Sequence, residues 1–379
     1  PCAACPKCGF DPNAPVDAIY LKPGSVLHGK YVVGRCLGHG GFGITYLAWD
    51  RDLMVKAAIK EYLPTPLATR SVDTDEAAPF TGNKGKHFTQ GLTRFLEEAR
   101  ALARFQGHPG IVAVRDYFTE NQTAYYVMEF MEGLTLKQFL KQRGGKLPFE
   151  TIFKLLMPVL DTLREVHAQG LLHRDVSPDN IYITTKGQVK MLDFGAARQA
   201  MGEENKTLSV ILKPGFAPEE QYRSKGRQGP WTDVYGVAAT MYKMLTGATP
   251  PDALDRMKQD DLVRPSARGN PLPAKAEEIL LKGLAVDASN RFQTMREFQQ
   301  GLMAAHSGAG VQGEPVPSLK GQEPYEPTRP IQEQPPSSPE QRNPKVRRSP
   351  RLKSHSEPSS TFALDHDNPD TSARASFPR

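Results

Sequence analysis

The chain is short of cysteine, of long apolar runs and of net charge, and each shortage removes a class of protein. Four cysteines in 379 residues are too few for a disulfide scaffold. No stretch approaches the roughly 20 apolar residues a membrane helix needs, and no signal peptide opens the chain. A soluble, reducing, cytoplasmic compartment is the resulting expectation. The 48 basic residues exceed the 42 acidic ones by only 6, too mild an excess for a dedicated nucleic-acid binder. No internal repeat is present. Apolar residues make up 39 %, below the usual globular share, while proline (33) and glycine (32) are in excess, so part of the chain should not pack into a core.

Composition divides what is there into three regions: 1–23, 24–305 and 306–379. The first is rich in proline and alanine and holds Cys2, Cys5 and Cys8. The second has ordinary globular composition. The third is rich in proline, serine and glutamine, with almost no large aliphatic residues, and is expected to be a disordered tail, because ordering it would cost more entropy than it could bury in apolar area.

The middle region divides again. Tyr31 to Leu37, Ile44 to Trp49, Val55 to Lys60 and Thr123 to Met128 are β-branched or aromatic runs. Between them, Leu92, Phe95, Leu96, Ala99, Leu102 and Ala103 follow helical spacing. The segment from Pro64 to about Gln90 is long for a connection and reads as an insertion. After Gly133 helices dominate. Thr151–Ala168 is amphipathic and ends at Gly170, and Val234–Leu245, ended by Gly247, is apolar nearly all round. The expected fold is α+β, a small β-rich lobe followed by a larger α-helical lobe.

Residues with chemistry fall at fixed places in this frame. Gly38, His39, Gly40, Gly41, Phe42 and Gly43 form a GxGxxG between two strands. Backbone N–H groups there could approach phosphate oxygens, and a tight hairpin explains the glycines equally well. A strand follows the motif where a dinucleotide site needs a helix, which disfavours that class. Lys60 lies on an apolar strand, and Glu98 on the next helix is a candidate partner. His173-Arg-Asp-Val-Ser-Pro-Asp-Asn180 puts a carboxylate and an amide on one short loop. Asp193-Phe-Gly195 follows a strand-like run, and Ala217-Pro-Glu219 closes a segment rich in Ser, Thr and Lys.

In the order and spacing of these motifs, from about Tyr31 to Gln300, the chain resembles the eukaryotic-type protein kinases, and most of all their bacterial serine/threonine branch. The resemblance implies a bilobal protein kinase fold, ATP and Mg²⁺ as cofactors, and transfer of the γ-phosphoryl group to Ser or Thr hydroxyls of protein substrates. Self-phosphorylation through self-association is part of the same expectation. By position, Leu37, Gly38 to Gly43, Ile44 and Thr45 would cover the nucleotide. Lys60 would hold its phosphates, positioned by an ion pair with Glu98. Asp175 would orient the substrate hydroxyl, and Asn180 and Asp193 would bind Mg²⁺. Met128 would gate the pocket, with Glu129 and Met131 offering backbone hydrogen bonds to adenine. Arg174 marks the type of kinase whose activation loop is ordered by phosphorylation, with Thr207 and Ser209 as candidate sites where a phosphate could pair with a nearby Arg. Glu219 and Arg291 would form a buried ion pair, and Asp233 would anchor the catalytic loop.

The chain departs from the family pattern at several positions. Ser177 stands where a lysine usually contacts the γ-phosphate, and Lys213 where a threonine is usual. Lys213 is either the missing charge relocated or a solvated lysine. Thr45 and Tyr182 put polar tips around the adenine position. A nucleotide-binding scaffold that signals by conformation is the competing class, and the intact Lys60, Asp175, Asn180 and Asp193 argue against it.

Cys5-Pro-Lys-Cys-Gly9 looks like half of a zinc knuckle, with Cys2 as a third candidate Zn²⁺ ligand. Structural zinc takes four ligands, no second pair is visible, and free thiols are the alternative. Cys36 reads as a small buried hydrophobe. Pro1 opens the chain without methionine, which points to residues upstream. In the tail, Arg342, Lys345, Arg347, Arg348, Arg351 and Lys353 form a basic run. An anionic membrane lipid, a nucleic acid or a docking partner could read it, and a solvated linker explains it as well.

Overall fold

Alternation of buried and exposed residues, as in Tyr31, Val33, Tyr46 and Ala48, builds the first half of the molecule as antiparallel sheet. In the computed structural model the described residues are 17–71, 74–194, 212–223 and 226–308, all within one compact unit of residues 1–327. Strands β1 (Val26–Leu27), β2 (Tyr31–Gly40), β3 (Gly43–Asp50), β4 (Val55–Tyr62), β7 (Val114–Glu120) and β8 (Thr123–Glu129) form one sheet in the order β1-β2-β3-β4-β8-β7. Register pairs Thr45 with Lys60, and Lys60 in turn with Tyr126. The sheet therefore sets the lysine between two known neighbours.

The segment expected to be an insertion is more ordered than its composition suggests. It contains a hairpin of β5 (Ala68–Arg70) and β6 (Ala77–Pro79), and helix α1 (Asn83–Ala103) begins well before Leu92. Lys84, Lys86, His87 and two glycines hide the periodicity there, yet Phe88, Gly91, Phe95, Glu98 and Leu102 make one buried stripe. Gly91 is glycine for a reason of space, since a Cβ would lie 2.0 Å from the Tyr62 hydroxyl oxygen. Glu61 and Arg70 form a buried ion pair beneath this hairpin. Tyr125 donates to Glu61 Oε1 at 2.6 Å, and Arg70 Nε donates to the Ile19 carbonyl at 2.8 Å. Leu21 packs into the small-lobe core as well, and its N–H donates to the Tyr46 hydroxyl at 3.1 Å.

The second half is helical, as expected. A short sheet of β9 (Gly133–Thr135), β10 (Ile181–Thr184) and β11 (Val189–Met191) lies among α2 (Leu136–Gln142), α3 (Phe149–Ala168), α4 (Pro230–Thr246), α5 (Ala253–Lys258), α6 (Ala274–Gly283) and α7 (Met295–Ser307). Thr135 and Thr294 start α2 and α7 with capping boxes, and Gly247 ends α4 in the left-handed conformation at φ 74°. Leu156, Leu160, Leu163, Val237, Tyr242, Leu280 and Phe298 are among the core residues of this lobe. Phe194 and Val166 belong instead to the small-lobe core, so packing is continuous across the level of the candidate site.

Candidate active site

The residues that the motifs single out come from both lobes. The glycine-rich segment is the β2–β3 hairpin, with Gly40 opposite Gly43 and Gly41-Phe42 at its tip. None of its four glycines has positive φ, so left-handed backbone is not why they are there. A Cβ on Gly38, Gly40 or Gly41 would meet nothing within 4 Å, so these three border open space. A Cβ on Gly43 would lie 1.9 Å from the Glu61 carbonyl oxygen, so Gly43 serves the close approach of β3 to β4. Ile44 is fully buried in the core, Leu37 and Phe42 are half-buried, and the His39 Nδ1 lies 3.2 Å from the Tyr20 hydroxyl.

Lys60 departs from expectation. Its Nζ forms an ion pair with Asp193 Oδ1 at 2.7 Å, where Glu98 was the expected partner. Glu98 is buried and meets the Tyr126 hydroxyl instead, which also donates to Asp193 Oδ1 at 3.3 Å. Burial, then the charges of Asp193 and Glu98, hold that phenol well above its ordinary pKa, so it stays a donor. Tyr126 escaped the sequence reading because only strand register places it opposite Lys60, whose Nζ lies 5.5 Å from its ring centre.

The catalytic-loop motif is held from below by Asp233 at the start of α4, as expected. Its Oδ2 accepts from the His173 N–H at 2.9 Å and lies 2.7 Å from His167 Nε2, while Oδ1 accepts from the Arg174 N–H at 2.7 Å. Burial alone would raise the Asp233 carboxyl. The hydrogen bond and charge of His167, with help from His173, more than offset it and leave the pKa below the usual carboxylate value. Burial also lowers the pKa of His173, whose Nε2 lies 2.9 Å from the Leu192 carbonyl and whose ring packs 4.6 Å from that of Phe194. Arg174 (φ 64°) and Asp193 (φ 45°) adopt left-handed backbone that non-glycine residues rarely take.

This clamp puts Asp175 and Asn180, 7 % and 6 % exposed, side by side; Asn180 Nδ2 donates to the Asp175 carbonyl at 2.8 Å and to its carboxylate. The Asn180 amide oxygen and the Asp193 carboxylate are hard oxygen donors. Among the described residues no group of three His, Cys, Asp or Glu could hold a metal alone. Two protein oxygens completed by phosphates and water suit Mg²⁺ rather than a cation needing a full protein cage. Lys213 Nζ donates to Ser177 Oγ at 2.8 Å and lies 3.4 Å from Asp175 Oδ2.

At the rim opposite, Glu129 Oε1 accepts from Lys190 Nζ at 2.7 Å and from the Ala113 N–H at 3.1 Å. The Tyr182 hydroxyl donates to the Met131 carbonyl at 3.0 Å, and burial pushes that phenol up to about 12. Met128 is buried at the back. The ion pair expected between Glu219 and Arg291 belongs to Glu220. Arg291 binds both Glu220 oxygens, at 2.7 and 3.0 Å, whereas Glu219 pairs with the exposed Arg223 at 2.5 Å. The one-residue shift arises because Glu220 lies inside, 3 % exposed, where Thr232 Oγ1 also donates to it at 2.9 Å. Cys2, Cys5, Cys8, Thr207, Ser209 and the basic run of the tail lie outside the described residues. Cys36 is half-buried, and burial raises its thiol pKa, in keeping with a packing role.

Residues 31–301 match the protein kinase domain family. PknL, a serine/threonine-protein kinase of Mycobacterium tuberculosis, is 34 % identical over 275 residues, covering 71 % of this chain and 63 % of its own length. PknB of the same organism is 31 % identical over 297 residues, 75 % of this chain and 44 % of PknB. The chain thus spans less than two thirds of the length of either relative. The solved structure described as PpkA-294 in its apo form superposes with a TM-score of 0.68 at 37 % identity, over 75 % of this chain and 99 % of that one.

Proposed function

The chain belongs to the protein kinase family, and from that premise we propose that it transfers the γ-phosphoryl group of ATP to serine or threonine hydroxyls of proteins, itself among them. The observation that carries the reading is the meeting of Asp175 and Asn180, held from below by Asp233, in a fold that also pairs Lys60 with Asp193. Reactions of this type need little covalent chemistry from the protein; they need positioning and neutralisation of phosphate charge.

Each residue then has a task. Asp175 orients the acceptor hydroxyl and takes its proton. Lys60 exchanges its bond to Asp193 for the nucleotide's phosphate oxygens, and the freed Asp193 carboxylate joins Asn180 in holding the metal. Mg²⁺, when bound there, neutralises the charge on the transferring phosphate. The β2–β3 hairpin covers the phosphates with backbone N–H groups. Glu129 and Met131 receive the adenine, with the Met131 carbonyl already tied to Tyr182. Arg174, whose Nε is buried without a partner among the described residues, is set to receive a phosphate from the segment that bears Thr207 and Ser209.

The names of the curated relatives support serine and threonine as acceptors. No helix among the described residues is long and apolar enough to cross a membrane. Mass spectrometry of the protein after incubation with Mg-ATP tests the proposal. Phosphate on Ser or Thr, absent from D175N, is the expected result; an unmodified wild-type protein that also leaves added protein substrates unmodified overturns it.

A further inference from the structure

We propose that Lys213 is a catalytic residue, the cation that contacts the γ-phosphoryl group in place of the lysine the catalytic loop lacks. The inference rests on the phosphotransfer reading above and concerns how that site is completed. Between Asp175 and Asn180 the loop reads Val176-Ser-Pro-Asp179 and holds no basic residue. Ser177 is fully buried. Its hydroxyl oxygen accepts from Lys213 Nζ at 2.8 Å, so an ammonium from a distant segment occupies the place a lysine at 177 would serve. The same Nζ lies 3.4 Å from Asp175 Oδ2 and 3.9 Å from Asp179 Oδ2. Asp175, Lys213, Phe216 and Gln221 border one small hollow.

A solvated lysine would not look like this. The Lys213 side chain is 27 % exposed, partly withdrawn from water, and its Nζ lies 3.4 Å from an Asp175 carboxylate that is 5 % exposed. Its backbone is fixed too. The N–H groups of Phe216 and Ala217 donate to the Lys213 carbonyl at 3.0 and 3.1 Å. Gly215, at φ 80°, is pressed so close to the Pro250 carbonyl that a Cβ would lie 2.3 Å from it. The turn therefore holds the lysine against the catalytic loop.

An ammonium is a compact charge with three donors, and here one faces Ser177. The remaining donors serve anionic oxygen: Asp175 in the free protein, and phosphoryl oxygens when the nucleotide is bound. In the transfer, the bond from the γ-phosphorus to the ADP oxygen breaks and a bond to the acceptor oxygen forms. The acceptor's proton passes to Asp175, and Lys213 stays protonated throughout, stabilising the charge on the transferring oxygens.

Two readouts test this. By calorimetry, K213A is expected to bind Mg-AMP-PNP about tenfold more weakly than wild type while binding Mg-ADP unchanged, as the loss of one charge-assisted contact to the third phosphate requires. Its rate of phosphate incorporation should fall by ~100-fold or more. The charge-relocated S177K/K213T protein should recover most of both losses, and K213Q replaces K213A if the alanine variant melts early. Equal weakening of both nucleotides, an unchanged ratio between them, or no recovery on relocation would overturn the role. Failure of the wild-type protein to transfer phosphate would count against the kinase reading, and the nucleotide comparison would still decide the fate of Lys213.

Discussion

Glutamate 220, not 219, should be the residue on which the large lobe depends. Arg291 has no exposed side-chain surface, and Glu220 only 4 %. The guanidinium meets the carboxylate at 2.7 and 3.0 Å, gives Nε to the Ala285 carbonyl at 2.6 Å and Nη2 to that of Val286 at 2.7 Å, and lies 4.9 Å from the Tyr235 ring centre. E220Q turns one acceptor oxygen into a donor facing an arginine and leaves the guanidinium charge buried among neutral groups. Breaking a buried pair in this way costs ~3–5 kcal/mol. E219Q removes only a pair with Arg223, whose side chain is 57 % exposed, worth ~0–1 kcal/mol. At about 2 cal/mol/K per residue, a domain of roughly 270 residues has an unfolding entropy near ~0.6 kcal/mol/K. The midpoint should drop by about 5–8 °C in E220Q and by less than about 2 °C in E219Q. Scanning calorimetry of the two variants beside wild type measures this directly. Equal shifts, or a larger one for E219Q, would refute the placement of the pair.

Other outcomes follow from the same geometry. D175N should keep nucleotide affinity while losing transfer by ~100-fold or more, measured by phosphate incorporation; retained transfer would remove Asp175 from the reaction. K60M should also lose transfer, since it removes the cation now paired with Asp193. G91A should lose ~1–3 kcal/mol in urea unfolding, because its Cβ would meet the Tyr62 hydroxyl oxygen at 2.0 Å. Acidification should destabilise the protein in two steps. His173 has a folded pKa below its ordinary 6.5, so the unfolded chain takes up a proton first and stability falls as pH drops below that value. Asp233, also depressed, contributes stability above its ordinary 3.8, and that contribution is lost as pH falls through its folded value. A melting temperature that rises from about pH 7 to 5 would contradict the first sign, and one that rises as pH falls below about 4 would contradict the second.

Much of this was legible before the structure. Local apolar periodicity located β2, β3, β4, β8, α3 and α4, because each carries its own pattern of burial. Lys60, Asp175, Asn180 and Asp193 were singled out through the family resemblance that the motifs carry, and Asp233 contacts the loop it was expected to hold. What escaped depends on relations between segments. Two glutamates in a row look alike in sequence, and only the packing of Arg291 chooses between them. The partner of Lys60 is set by where the Asp193 carboxylate comes to rest, and the role of Tyr126 by sheet register. The early turns of α1 were hidden because lysines and glycines interrupt a stripe that Phe88 and Gly91 complete.

The clamp by Asp233 sets an order of assembly. Every residue assigned to the chemistry except Lys213 has been synthesised by position 193, yet the carboxylate that fixes His173 and Arg174 arrives 60 and 59 residues after them. A nascent chain halted before α4 would carry all the recognisable signatures and no formed loop to display them. The loop's anchor is thus made after the loop itself, and under the proposed function a chain halted before α4 is expected to be inert.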